Sequence, residues 1–205
     1  CREDRQGYDQ GLMVLVITGW RSAIAVELRG LLPNEDARRA VAGDPAFPLD
    51  ADRYLFAAGL MRPKRYEHQT ESEIEEGFEV NARAVIKQCD RLLLENDLAR
   101  ICVIGSESGF NGSFDGVYAA AKAEIHRYVV HKRLRTPDQQ LVCVSPSIID
   151  DAGMTLRRDD KERLDRRRIS HPKRRFLSAI EVARAIKFLL YEDAGYITGT
   201  VIRMN

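Results

Sequence analysis

A tyrosine and a lysine four residues apart, Tyr118 and Lys122, are the pairing in this sequence best suited to chemistry. On a helix, that spacing sets a phenol and an ammonium on one face. A free phenol ionises near pH ~10. A neighbouring ammonium favours the phenolate, so such a tyrosine becomes a usable proton donor or acceptor near neutral pH. By itself the pair is common by chance and reads first as an ordinary exposed helical couple. Its setting adds weight, because Ser106 lies upstream, just after the short apolar run Ile101–Ile104, and opens a loop rich in Gly, Ser and Asn. A second candidate lies near the start. The apolar run Leu12–Ile17 leads into Thr18-Gly19-Trp20-Arg21-Ser22-Ala23-Ile24-Ala25. A small-residue turn that opens a helix is a ready anion site, since free backbone N–H groups point at the ligand. A plain strand–helix turn is the alternative.

The elements that must position these residues alternate in type. Leu12–Ile17 is expected to be a strand buried on both faces. Ile24, Leu28, Leu31 and Leu32 follow at helical spacing, stopped by Pro33-Asn34. Residues 34–53 predict at most one short strand, around Arg38–Ala42, and Arg53–Ala58 predicts another. A helical stripe of Ile74, Phe78, Val85, Cys89 and Leu92 runs from Glu73 to Glu95. Then come a strand at Ile101–Ile104, a loop over 105–116, a helix from Val117 to Leu134 with a small-residue face (Ala119–Ala121, Ala123), and a strand at Leu141–Val144. A charged connection over 150–176, a helix at Ala179–Tyr191 and a strand at Ile197–Ile202 complete the pattern. Repeated strand–helix alternation predicts an α/β fold, a single doubly wound parallel sheet covered on both sides. Residues 1–11 read as a polar leader and 12–205 as one Rossmann-type domain.

The composition bounds the function. With 44% hydrophobic and 31% charged residues and a formal net charge of +1, the 205-residue chain reads as globular, with no global field to draw it to nucleic acid or a membrane surface. The apolar run at Leu12–Ile17 is too short to span a bilayer. Cysteines at 1, 89, 102 and 143 form no CxxC pair, and three lie in apolar runs. They read as reduced, buried thiols, which suits the cytoplasm. No metal site is expected.

In sequence order, Thr18-Gly19, Ala58-Gly59, Asn81 in Phe78-Glu-Val-Asn81, Ile104-Gly-Ser106, Tyr118-Ala-Ala-Ala-Lys122, Pro146-Ser147 and Tyr196-Ile197-Thr198-Gly199 form an ordered set. That set resembles the short-chain dehydrogenase/reductase family over residues 12–205. The resemblance implies an NAD(P)-dependent oxidoreductase that moves a hydride between nicotinamide and a small carbonyl or alcohol substrate. It implies that Tyr118 is the general acid/base, that Ser106 polarises the substrate oxygen, and that Lys122 holds the nicotinamide ribose and lowers the Tyr118 pKa. Asn81 would support a relay water from a distortion in its helix; without the resemblance it reads as a solvent-facing helical Asn. Contacts to NAD or NADP would come from Gly19, Arg21, Ser22, Ile24, Asp44, Ala58, Gly59, Tyr118, Lys122, Pro146 and Ile149. Asp44, before Pro45, equally suits a turn. Arg21, Arg38 and Arg39 are candidates for a 2′-phosphate. A homodimer or homotetramer is implied.

The chain departs from the family pattern at several points. Ala23 and Ala25 replace two glycines of the first turn, Phe56-Ala57 replaces an Asn pair, and Asp151 stands where a threonine often meets the carboxamide. Gly19 and Gly59 are only 40 residues apart, where two βαβ units of about 30 residues each are expected. The sheet is therefore expected to show six strands, or seven with one vestigial, and a trimmed adenine edge. These departures favour the rival reading of a non-catalytic relative acting through protein contacts; the Asn81, Ser106, Tyr118 and Lys122 set opposes it. From Arg157 to Arg175 the chain carries ten Lys/Arg and four Asp/Glu. This segment reads either as a lid that attracts an anionic substrate or as a solvated surface segment. No aromatic interleaving supports nucleic-acid binding.

Overall fold

A computed structural model of the chain describes residues 13–157 and 160–205. The polar leader read at 1–11 and the first residue of the apolar run, Leu12, lie outside the described residues.

Six strands form one parallel sheet in the order β2-β1-β3-β4-β5-β6. They are β1 (Val14–Thr18), β2 (Asp36–Arg39), β3 (Arg53–Phe56), β4 (Arg100–Ile104), β5 (Gln140–Pro146) and β6 (Thr200–Met204). Leu15 sits opposite Ala37 on one side and Arg53 on the other, so the chain reverses direction across the sheet at β1. Such a reversal point opens a crevice at the carboxyl ends of the strands. The helices α1 (Ala23–Leu31) and α8 (Ala179–Tyr191) cover one face, burying Ile24, Leu28, Val182 and Ile186 against Leu15, Ile17, Leu55 and Val142. The other face carries α3 (Ala84–Glu95) and α5 (Gly116–His131), with Val85, Leu92, Ile125 and Val129 packed on Val16, Tyr54, Ile101 and Leu141. Alternate residues of each strand thus serve opposite cores, as the near-continuous apolar runs predict.

Several boundaries differ from the sequence reading. The second strand is Asp36–Arg39 rather than Arg38–Ala42. It has no apolar run of its own and owes its conformation to pairing with β1. The stripe from Glu73 to Glu95 is interrupted: α2 (Glu71–Phe78) passes into a π-helical turn, Glu79–Arg83, before α3. The loop at 105–116 contains a single helical turn, α4 (Ser108–Asn111). The charged connection holds α6 (Gly153–Leu156) and α7 (Lys161–Ser170).

The missing length falls where the spacing places it. Residues 40–52 hold neither helix nor strand. They form a strap across the α3 face instead. Phe47, 4% exposed, stacks on Phe56 at 5.8 Å and on Tyr54 at 6.2 Å between ring centroids. Asn96 Nδ2 donates to the carbonyls of Leu49 and Ala51, and Arg91 donates to that of Pro45. One aromatic plug and a few side-chain ties thus close a surface that a helix would otherwise cover. Among the described residues no helix is long and apolar enough to cross a membrane.

Candidate active site

Because every strand is parallel, the segments after β1, β3, β4 and β5 all emerge at one edge of the sheet. Thr18-Gly19, Ala58-Gly59, Ser106 and Pro146–Ile149 are therefore brought together along the same crevice.

Ser106 follows β4 and Tyr118 lies in the first turn of α5. Asp115 caps that helix, its Oδ1 accepting the Tyr118 amide at 3.1 Å. The same carboxylate accepts the Arg62 amide at 2.8 Å and the Gln69 side chain at 2.9 Å, so it ties the segment after β3 to the start of α5. The sequence reading passed over Asp115, although an Asp three residues before a helical amide is an N-cap signature. The Ser106 side chain is near enough to the Tyr118 phenol to act on its ionisation, and its hydroxyl oxygen accepts the Ser108 amide at 3.2 Å. Lys122 lies one turn further on, 3% exposed, and donates to the Ile104 carbonyl at 2.7 Å. Its Nζ stands 5.7 Å from the Tyr118 ring centroid. Buried Tyr118 and Lys122 on α5 thus sit beside half-buried Ser106 on the loop after β4.

The ionisation of the pair departs from expectation. Burial raises the Tyr118 pKa, the Ser106 side chain lowers it less, and Asp115 raises it further. Burial lowers Lys122 from 10.5 to about 8. Tyr118 is therefore held as a neutral phenol at neutral pH. The expected lowering by Lys122 does not operate in this arrangement, where the ammonium is directed at the Ile104 carbonyl.

Asn81 sits inside the π-helical turn and is 1% exposed, which rules out a solvent-facing side chain. Its Oδ1 accepts the Leu60 amide at 2.9 Å, and its Nδ2 donates to the Leu60 and Gly77 carbonyls at 2.7 and 2.8 Å. The amide thus clamps the loop after β3 onto the helix. The helical distortion expected at this residue is present, and such bulges recur at functional sites.

In the turn after β1, Gly19 has φ +67°, and a Cβ there would lie 2.4 Å from the Ala58 nitrogen. Only glycine lets the first turn nest against the end of β3. Ser22 caps α1, accepting the Ala25 amide at 3.2 Å. Arg21 is exposed, whereas Ile24 is buried in the α1 core, so its side chain packs rather than lines the crevice. Asp44 is exposed in the strap and accepts the Ala46 amide at 2.8 Å, the turn role open to it from sequence. Ile149 is buried and bridges to Leu177, which pins both ends of the charged segment to the carboxyl end of β5. Asp151 accepts the Ala179 amide at 2.9 Å and so anchors the start of α8. Met154 of α6 leans over Gly59, its Cε 3.3 Å from where a Cβ would be. Two buried hydroxyls with no partner among the described residues, Thr18 Oγ1 and Ser145 Oγ, lie near the carboxyl ends of β1 and β5. Unsatisfied polar atoms beside a helix-capped turn fit the polar half of a dinucleotide. The strap offers no second βα unit for the adenosine half.

A family model described as enoyl-(acyl carrier protein) reductase matches residues 50–205. The chain belongs to the short-chain dehydrogenase/reductase family. The match begins at the end of the strap, where the ordinary order of elements resumes. Among curated short-chain dehydrogenase/reductase relatives, an acetoacetyl-CoA reductase from Allochromatium vinosum is 30% identical over 161 residues, covering 75% of this chain and 64% of that protein. The 3-oxoacyl-[acyl-carrier-protein] reductase MabA of Mycobacterium tuberculosis is 31% identical over 161 residues, covering 77% and 61%. The chain thus spans less than two thirds of the length of these two relatives. A short-chain dehydrogenase/reductase from Burkholderia thailandensis superposes with a TM-score of 0.81 at 18% identity, covering 95% of this chain and 92% of that one. An actinorhodin polyketide ketoreductase variant with NADPH gives 0.76 at 18% identity, covering 94% and 95%. These superpositions carry the fold alone.

Proposed function

We propose that this short-chain dehydrogenase/reductase is an NAD(P)H-dependent reductase of a carbonyl on a small, anionic substrate, in the manner of a 3-oxoacyl thioester. The observation that carries the reading is the placement of Ser106 beside Tyr118, with Lys122 one turn away, at the carboxyl edge of a switch-point sheet. The dinucleotide supplies the hydride when bound. Ser106 donates a hydrogen bond to the substrate carbonyl oxygen and orients it. Tyr118 gives its phenolic proton to that oxygen as negative charge develops, and regains a proton from solvent. A raised phenol pKa suits this direction, because it keeps the acid form loaded at neutral pH. Lys122 is placed to turn from the Ile104 carbonyl to a ribose hydroxyl. Gly19, Arg21 and Ser22 would face the pyrophosphate, with Ala58, Gly59, Pro146 and Ile149 along the nicotinamide side and Asp44 at the adenine edge.

Anionic character in the substrate is supported by α7, which carries Lys161, Arg163, Arg166, Arg167 and Arg168 and belongs to a segment that leaves and rejoins the sheet at the end of β5. The names of the two relatives support a 3-oxoacyl thioester as the substrate class. The open groove of Ile86, Ala120, Ala123, Arg127 and Tyr128 between α3 and α5 supports pairing of two copies through those helices. Buried, free Cys89, Cys102 and Cys143 suit a reducing compartment such as the cytoplasm. A second reading, a relative that no longer turns over substrate, rests on the strap and on Met154 over Gly59. Following consumption of NADPH and NADH with acetoacetyl-CoA tests the proposal and the cofactor preference together. No turnover with either, alongside no binding of either, would leave the second reading.

A further inference from the structure

One turn beyond Lys122, at a place the reaction scheme leaves unused, α5 carries His126, 6% exposed. The loop that presents Ser106 is wrapped around its imidazole. A Cβ on Gly105 would lie 2.5 Å from His126 Nε2 and 2.7 Å from Cys143 Sγ, and one on Gly109 would lie 2.6 Å from His126 Cε1. Phe110 stacks on the ring at 4.4 Å between centroids. Two glycines and an aromatic thus close on three parts of one side chain, and Ser106 sits between the glycines. The Ser106 amide donates to His126 Nε2 at 3.4 Å, a long bond in an enclosed setting. Since Nε2 accepts, the ring proton belongs on Nδ1, and Nδ1 is buried with no partner among the described residues. An apolar residue of similar size would fill the space without that penalty, so packing alone is a poor account of a histidine here.

We infer that His126 is the positioning residue for Ser106: its neutral imidazole holds the Ser106 amide, sets the 105–109 loop and thereby aims the Ser106 hydroxyl at Tyr118 and the substrate oxygen. This role rests on the reductase reading for its catalytic consequence and on geometry for the contact itself. Burial, then the Lys122 charge, hold the imidazole neutral, with Glu107 acting against them and Arg203 with them, so the acceptor nitrogen persists down to about pH 4.

The test uses His126→Met, which keeps bulk without an acceptor, His126→Gln, which returns a polar end at the Nε2 position, Ser106→Ala, and the Met/Ala double variant. With acetoacetyl-CoA and NADPH, His126→Met should lose about tenfold or more in kcat at unchanged KM for NADPH, and His126→Gln should recover to within about threefold. The double variant should be no worse than Ser106→Ala, because a residue acting through Ser106 has nothing left to position. Multiplying losses, or a Gln variant as poor as Met, would overturn the inference. Two readouts need no turnover. Hydrogen exchange at the Ser106 amide should be about tenfold faster in the Met variant and restored in Gln. Nitrogen NMR of the wild-type ring should show the Nδ1–H tautomer. An inactive wild-type protein would remove the reductase reading while these two still decide the contact. The opposite tautomer or unchanged exchange would remove the contact, even in an active enzyme.

Discussion

Replacing Lys122 by methionine should abolish turnover and relieve the fold of a buried charge. The ammonium is 3% exposed, and its pKa falls from 10.5 to about 8 because burial disfavours the charged form. A folded-state value below the unfolded one means that the protonated lysine opposes folding. Below about pH 8 both states carry the proton and the full penalty is present, about 3 kcal/mol at roughly 1.4 kcal/mol per pH unit. Between about pH 8 and 10.5 the unfolded chain keeps its proton while the folded protein gives it up, so the penalty shrinks to about 1 kcal/mol by pH 10. Against this gain, the methionine leaves the Ile104 carbonyl without its donor, which costs about 1–3 kcal/mol at every pH. The sign at pH 7 is therefore close-run, but the pH dependence is not. Urea unfolding of both proteins, free of dinucleotide, should show the stability difference moving toward the wild type by about 2–3 kcal/mol from pH 7 to pH 10. Groups that do not feel Lys122 cancel in that difference, and His126, which does, is already neutral across this range. A gap that stays constant with pH would refute the account of Lys122 as a charge held in the fold for chemistry.

Tyr118→Phe should keep the fold, since the ring stays packed, and lower turnover by about 100–10,000-fold; near-normal activity with a competent substrate would sink its acid role. Gly19→Ala should not give a folded protein, because its Cβ would meet the Ala57–Ala58 backbone at 2.4–2.5 Å with φ +67°; a cooperative unfolding transition like that of the wild type would contradict this. Asp151→Ala should cost about 1 kcal/mol and lower Tm by about 2–4 °C, through the lost tie to the Ala179 amide. Calorimetry checks that, and an unchanged Tm would mean that the tie is idle. The strap in place of a βα unit should leave dinucleotide binding weaker than about 1 μM, or −8 kcal/mol; a fluorescence titration giving sub-micromolar affinity would remove the consequence drawn from the short adenine half.

What was legible in the sequence followed the strength of the local signal. Strands buried on both faces show as apolar runs, so β1, β4 and β5 were readable to within a residue or two. β2, with the sequence Asp-Ala-Arg-Arg, is a strand only because β1 lies beside it, and its bounds were misplaced. The shortage of chain between Gly19 and Gly59 foretold the loss of a strand, but not that Phe47 would fill the space. Ser106, Tyr118 and Lys122, which the fold gathers at the strand ends, are candidates that spacing and order single out. The capping role of Asp115 has a local signature, but its ties to Arg62 and Gln69, and the glycine loop curved around His126, join segments that no spacing relates. The sign of the Tyr118 shift was misjudged for the same reason. Proximity of a lysine is visible in sequence, whereas burial and the competing Ile104 carbonyl are not.

Trimming the sheet also decides which backbone groups face water. The outer edge of β2, where a seventh strand would lie, has no strand paired to it among the described residues. An open edge of this kind is a template for uncontrolled association between molecules. Here the exposed positions are Arg38 and Arg39, and Asp36 is paired with Arg38 at 2.8 Å. The strand is four residues long and ends in a turn at Val41–Asp44. Charge and brevity stand in for the missing neighbour, so the sequence that looks least like a strand is the one that keeps the shortened sheet from growing.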